Sequence, residues 1–202
     1  MAMTFRAAGA FGRAAGAFGR AMFVPLTLAL LAACNTLGGG DAAPTLRGTN
    51  VTRIHLGVPA GRGEVSVEPR FATQAAGGVY EPAFATTVAN ELRTLGFTRA
   101  ASPAASEYVA TVDVATGTLA ALAARAPAAG PPSPGAAAMA NATATQLAVQ
   151  LKRRSDGSIM WEGLAQSGAR VGTVPSAATV GRLARAMFRD FPGESGRTIN
   201  VR

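Results

Sequence analysis

The chain has 202 residues, single-domain size with length to spare, and 49% of it is hydrophobic, enough for a core although alanine and glycine inflate that figure. Its one cysteine excludes an internal disulfide, and its one histidine leaves no second imidazole for a zinc site. The formal charge of +8 is almost all arginine and falls to +5 over residues 34–202, because Arg6, Arg13 and Arg20 lie ahead of that stretch.

At the front, AAGAFGR occupies residues 7–13 and recurs at 14–20. One duplicated heptad is too little for a solenoid or a coiled coil. Lacking acids and carrying an arginine in each copy, it reads as a lengthened basic n-region. MFVPLTLALLAA, residues 22–33, is an apolar run too short to cross a bilayer, which takes about 20 residues. With its basic flank it reads as the h-region of a secretory signal.

The run ends in Leu31-Ala32-Ala33-Cys34, which resembles the lipobox of bacterial lipoproteins. The resemblance implies a diacylglyceryl group on the Cys34 thiol, cleavage between Ala33 and Cys34, and acylation of the new amine. Residues 1–33 are then a lipoprotein signal peptide. Residues 34–50, rich in Gly, Asn and Thr, are a lipidated flexible tether. Asn35 in place of an aspartate favours the outer membrane over retention in the inner one.

VTRIHL, 51–56, alternates and is rich in β-branched residues, so it reads as a strand. EVSVEP, 64–69, is a second strand stopped by Pro69, and the two are expected to pair antiparallel across the loop GVPAGRG. In residues 80–95, Phe84, Val88, Leu92 and Leu95 recur at helical spacing, with Glu81-Pro82 as the start and Gly96 just past the end. YVATVDV, 108–114, is a strand with Tyr108, Ala110, Val112 and Val114 on one face. Residues 120–143, nearly uncharged and made mostly of Ala, Pro and Gly, form a low-complexity insert. TQLAVQLKR (145–153) and IMWEGLAQSGAR (159–170) are joined by a turn with Asp156-Gly157 at its centre, a strong hairpin signal. SAATVGRLARAMFRDF, 176–191, repeats at helical spacing, and TINV, 198–201, is an edge strand. The order ββαβββα(β) implies an α+β fold over 51–202, a small antiparallel sheet with two helices on one face.

ELRTLGF, SEYVATVDV, LAVQLKRRSDGSIMWEG and LARAMFRDFPGESGRTINVR together resemble the bacterial envelope lipoproteins of domain of unknown function 4136. VTRIHLG near the start and FPGESGR near the end resemble an alphaproteobacterial-type branch of that family. The family brings no catalytic residues with it.

Little in the chain points to catalysis. His55 is alone, no G-x-S-x-G occurs, and neither glycine-bearing loop matches a P-loop or a dinucleotide fingerprint. Glu64 and Glu68 share a strand face with Ser66, an acidic strip rather than a buried carboxylate pair. Arg182, Arg185 and Arg189 line one face of the second helix and, with Arg197 beside a loop of free backbone amides, are candidate contacts for an anionic envelope ligand.

The expectation is a lipid-anchored, periplasm-facing outer-membrane protein. It needs no cofactor, no metal and no nucleic acid, it is not an enzyme, and it acts as an accessory or binding module for an envelope protein or anionic ligand. Two alternatives make geometric demands. A lipid or lipopolysaccharide binder requires an apolar groove between sheet and helices rimmed by Arg182, Arg185 and Arg189. An envelope-polymer hydrolase requires His55 to converge with Glu64 or Asp113.

Overall fold

The computed structural model describes residues 46–55, 62–70, 81–125 and 138–202. The signal segment, Ala33, Cys34, most of the tether, most of GVPAGRG and the middle of the insert lie outside them. The architecture is α+β: a seven-stranded mixed sheet with three α-helices. In chain order the elements are β1 (Thr49–His55), β2 (Glu64–Pro69), α1 (Pro82–Thr94), β3 (Thr98–Arg99) and β4 (Tyr108–Thr118). They continue with α2 (Leu119–Arg125), β5 (Thr143–Arg153), β6 (Ile159–Gly168), α3 (Ala177–Phe188) and β7 (Thr198–Val201).

The strands lie in the order β3-β2-β4-β5-β6-β1-β7. The expected pairing of β1 with β2 is therefore wrong. β1 lies antiparallel between β6 and β7, while β2 sits near the far edge, parallel to both β3 and β4. The β-rich composition of two neighbouring segments is silent about which partner each takes, because pairing is decided by the crossover helix α1 and the long hairpins. The sheet is thus mixed rather than antiparallel. β4, β5 and β6 form its long antiparallel centre. Between Leu151–Trp161 and Lys152–Ile159 the register slips by one residue, so Met160 is the extra residue of a bulge.

One face of the sheet carries the main core. Tyr108, Ala110, Val112 and Val114 of β4 meet Leu147, Val149 and Leu151 of β5, as period-two alternation requires. α1 lays Phe84, Val88 and Leu92 on this face, and α3 adds Val180, Leu183, Ala184, Met187 and Phe188. Each such buried side chain contributes roughly 1.5–3 kcal/mol. Trp161 stacks on Phe188 at 5.4 Å and packs on Phe191 at 5.3 Å. The opposing residue space at Gly163 is taken: a Cβ there would collide with the Trp161 ring and the Met187 side chain.

α3 starts where its cap dictates, with the Ser176 hydroxyl accepting from the Thr179 amide at 3.2 Å. It stops at Phe188, three residues before the periodicity runs out. Asp190 turns to a φ of 56°, which aims Phe191 back at Phe97 and Trp161. Helical spacing cannot separate a last helical turn from an aromatic that folds back onto the same core.

The insert holds the other departure. Its first residues form α2, on the sheet face opposite α1 and α3, with Leu122 buried against Ala115 and Ala144 and packed on by Leu46 and Leu119. Alanine-rich sequence has high helix propensity, and a single leucine at the right place docks it. Leu46 also shows that ordered packing reaches into the segment read as tether, as does β1, which takes in Thr49 and Asn50.

Candidate functional site

Three polar regions and one cleft are candidates for function. The first joins β1 to the segment 189–197. Arg53 faces the helix side of the sheet and is 3% exposed, one of the few fully enclosed cations a fold of this size carries. Its Nε donates to the Met187 carbonyl at 2.8 Å, and its Nη2 to the carbonyls of Ala186 at 3.1 Å and Arg189 at 2.8 Å. These are carbonyls at the end of α3, which have no partner within the helix, so the guanidinium acts as its C-terminal cap. Burial pulls the Arg53 guanidinium below the usual arginine value, and the nearby Asp190 carboxylate works against that shift.

The rest of this segment closes on β1. The Gly196 amide donates to the Arg53 carbonyl at 2.8 Å, and the His55 amide donates to the Ser195 hydroxyl at 3.1 Å. His55 Nε2 lies 3.2 Å from the Gly193 carbonyl, an acceptor, so Nε2 carries the proton there. Trp161 Nε1 donates to the Pro192 carbonyl at 3.0 Å. Gly193 has a φ of 74° and rests against the Arg53 guanidinium, whose atoms a side chain would displace. VTRIH (51–55) and FPGESGR (191–197), 140 residues apart, are two halves of one clamp.

That clamp changes the reading of several residues. Two of the segment's backbone amides are already engaged: those of Phe191 and Gly196 donate to the Phe188 and Arg53 carbonyls. Arg197 is held by both carboxylate oxygens of Glu194, at 2.9 and 3.0 Å, which raises its pKa. His55 does not meet the acids that a hydrolase needs. Glu64 is on β2, three strands beyond β6, and Asp113 is on the opposite face of the sheet.

The second region is the exposed face of α3. Arg182 and Arg185 lie on it as the spacing implies, and Arg189 is exposed just past the helix end. Arg185 reaches Glu91 of α1 at 3.9 Å and Arg189 reaches Asp190 at 3.7 Å, while Arg182 donates to the Thr179 hydroxyl at 3.3 Å. Among the described residues, packed side chains lie beneath them. The space between sheet and helices is filled by Phe84, Leu92, Leu183, Met187 and Trp161, each at most 1% exposed.

The third region is the sheet face away from α1 and α3, which holds buried polar side chains. Asp113 accepts from Arg125 of α2 at 2.9 and 3.2 Å, Arg70 approaches Glu162 at 3.8 Å, and Gln166 donates to Gln146 at 2.8 Å. Near its edge, Arg154 bridges Glu68 at 2.8 Å, Ser66 at 2.9 Å and Ser106 at 2.9 Å. Glu68 of the acidic strip is therefore paired with an arginine from the hairpin that the sequence placed at a turn. These are paired networks that tie elements together, with Arg125 anchoring α2.

The cleft lies at the other end of the sheet. It measures about 520 Å³ and is bounded by β2, the outer side of α1, and residues 99–103. Val65, Val67 and Phe97 give it an apolar wall, and Arg93 and Arg99 stand at its rim. Sequence reasoning missed this place. The spacing of α1 marks the buried stripe, and the cleft is built from the residues between that stripe and solvent. Among the described residues, no three His, Cys, Asp or Glu side chains group as metal ligands, and no helix is long and apolar enough to cross a membrane.

No family model matches the chain. A stretch of 64 residues is 44% identical to an uncharacterized protein of Zymomonas mobilis; it spans 31% of this chain and 24% of that relative's length. The chain thus matches about a quarter of the curated relative. Among solved structures, a PDZ domain protein from Parabacteroides distasonis is similar over 75% of this chain and 39% of its own, at 14% identity and a TM-score of 0.48. A PelC dodecamer from Paraburkholderia phytofirmans is similar over 68% of this chain and 94% of its own, at 16% identity and a TM-score of 0.36.

Proposed function

We propose that the chain is an exported lipoprotein, cut between Ala33 and Cys34 and anchored at the periplasmic face of the outer membrane by acyl chains on Cys34. The folded unit is then a non-catalytic binding module in envelope assembly or maintenance. The observation that carries the reading is Leu31-Ala32-Ala33-Cys34 at the end of a short apolar run with three arginines ahead of it. One acyl chain gives only marginal membrane binding, and a triacylated cysteine exceeds that threshold. Attachment to the surface raises the local concentration of any partner there, so that weak contacts suffice.

The geometry of the folded unit supports a binding role. The His55 imidazole is engaged with the Gly193 carbonyl, far from Glu64 and Asp113, and the main acid–base pairs link structural elements to one another. Membership of the domain-of-unknown-function 4136 family, alphaproteobacterial-type branch, is part of the proposal. It rests on the motifs that resemble that family and on the partial similarity to a protein of Zymomonas mobilis, an alphaproteobacterium.

Intact mass of the protein extracted from washed outer membranes tests the anchor. The expected species begins at Cys34 and carries acyl chains, and the Cys34→Ser variant moves to the soluble fraction. A variant that stays in the membrane pellet, or an unprocessed soluble wild type, overturns the proposal.

A further inference from the structure

We infer that the cleft beside β2 binds an extended peptide carrying acidic side chains, which adds to the sheet as a strand. The inference deepens the binding-module reading and rests on it.

The first argument is the edge of the sheet. β3 is only two residues long and pairs with β2 at Glu64 and Val65 alone. The Gly63 and Val65 carbonyls accept from the amides of Thr98 and Ala100, at 3.3 and 3.1 Å. Backbone groups in a strand alternate sides, so Val67 presents its N–H and C=O toward the same side as Val65. Past Val65, β3 has ended, and among the described residues nothing pairs with Val67 there. Pro69 contributes a carbonyl and no N–H on the same side, which keeps this edge short. Unpaired strand groups at the base of a cleft are the geometry of strand addition.

The second argument is charge. The cleft is lined by Arg93 and Arg99 and by no acid. Among the described residues no carboxylate pairs with either arginine, in contrast to Arg185, Arg189 and Arg197, which each have one. Two cations on the same face as an apolar wall of Val65, Val67 and Phe97 suit a segment whose every second side chain faces α1 and which mixes apolar and acidic residues among those. A lipid headgroup would satisfy the arginines and leave the Val67 backbone unused, so the open edge favours a peptide.

The test uses the full chain carrying Cys34→Ser, so that failure of the anchoring reading leaves it untouched. The probe is an acetylated and amidated pentapeptide, Val-Thr-Glu-Thr-Val, which puts valine and glutamate on one strand face, and binding is followed by backbone amide NMR. The expected result is saturable shift changes confined to Val65–Val67, α1 and Arg99–Ser102. The glutamine counterpart binds more weakly. Arg93→Glu with Arg99→Glu lowers affinity about tenfold or more. Ala89→Trp, which fills the cleft and keeps its charge, has the same effect, and Arg170→Glu, a like charge change elsewhere, has none. Absence of saturable shifts, shifts centred on α3, or equal affinity for the glutamine peptide overturns the inference. So does binding of anionic lipid vesicles at these residues without binding of the peptide.

Discussion

The two ends of the sheet handle their edges in opposite ways. At the β1 end, the chain supplies its own partners: β7 pairs with Thr49–Thr52, the segment 189–197 closes on Arg53 and His55, and Trp161 is pinned to Pro192. At the β2 end, β3 stops after two residues and leaves Val67 beside a cleft rimmed by Arg93 and Arg99. Arginine serves both ends with different chemistry. Arg53 is enclosed and spends its donors on three carbonyls, so it holds structure; Arg93 and Arg99 are exposed and have no acid beside them among the described residues. Stability is concentrated where polar groups are satisfied internally, and binding capacity is left where they are not.

Substitutions sharpen this contrast. Trp161→Ala empties the largest side chain from the closed end and removes its bond to Pro192; the expected loss is about 3–5 kcal/mol, read as a lower midpoint in urea unfolding. A loss below about 1 kcal/mol would show that the closed end is not a rigid core. Arg53→Ala leaves the carbonyls at the end of α3 without their cap and is expected to cost about 3 kcal/mol, with faster exchange of amides in 189–197. At the open end, Arg93→Ala with Arg99→Ala is expected to change stability by no more than about 0.5 kcal/mol, since neither side chain is buried. A large loss there would mean that both ends are structural and would erase the comparison.

The smallest effect is at the hairpin tip. Asp156 accepts from the Ser158 hydroxyl at 2.7 Å and its amide at 3.0 Å, with Arg153 at 3.1 Å, and its pKa is lowered to about 2. A depressed carboxylate contributes stability above its unfolded value of about 3.9, and that contribution is lost as pH falls through about 2. NMR titration of the Asp156 carboxyl is expected to show this low midpoint, and Ser158→Ala to move it up toward 3.8.

Much of the fold was legible because local pattern and burial agreed. The stripe Phe84-Val88-Leu92 makes α1, the turn at Asp156-Gly157 makes the β5–β6 hairpin, and the alternation of Tyr108, Ala110, Val112 and Val114 places β4's core face. α2 was obscured by its alanine-rich composition, which supports a helix but says nothing of where one docks. The positions of Arg182 and Arg185 on the exposed face of α3 were also legible, because spacing alone determines which residues share a helix face, whereas Arg189 falls just past the helix end. The pairing of Arg185 with Glu91 was not legible, since Glu91 arrives from another helix.

By itself the sequence determined the α+β class, the main helices and hairpin, and the short apolar run that ends in Leu31-Ala32-Ala33-Cys34. All of these depend on residues close together in the chain. Tertiary structure alone decided that β1 and β2 lie apart, that Arg53 caps α3, that His55 belongs to a clamp, and that Val67 faces an open cleft. Each of those depends on contacts between distant segments, and a strand's pattern specifies which face it buries without specifying the neighbour it will take.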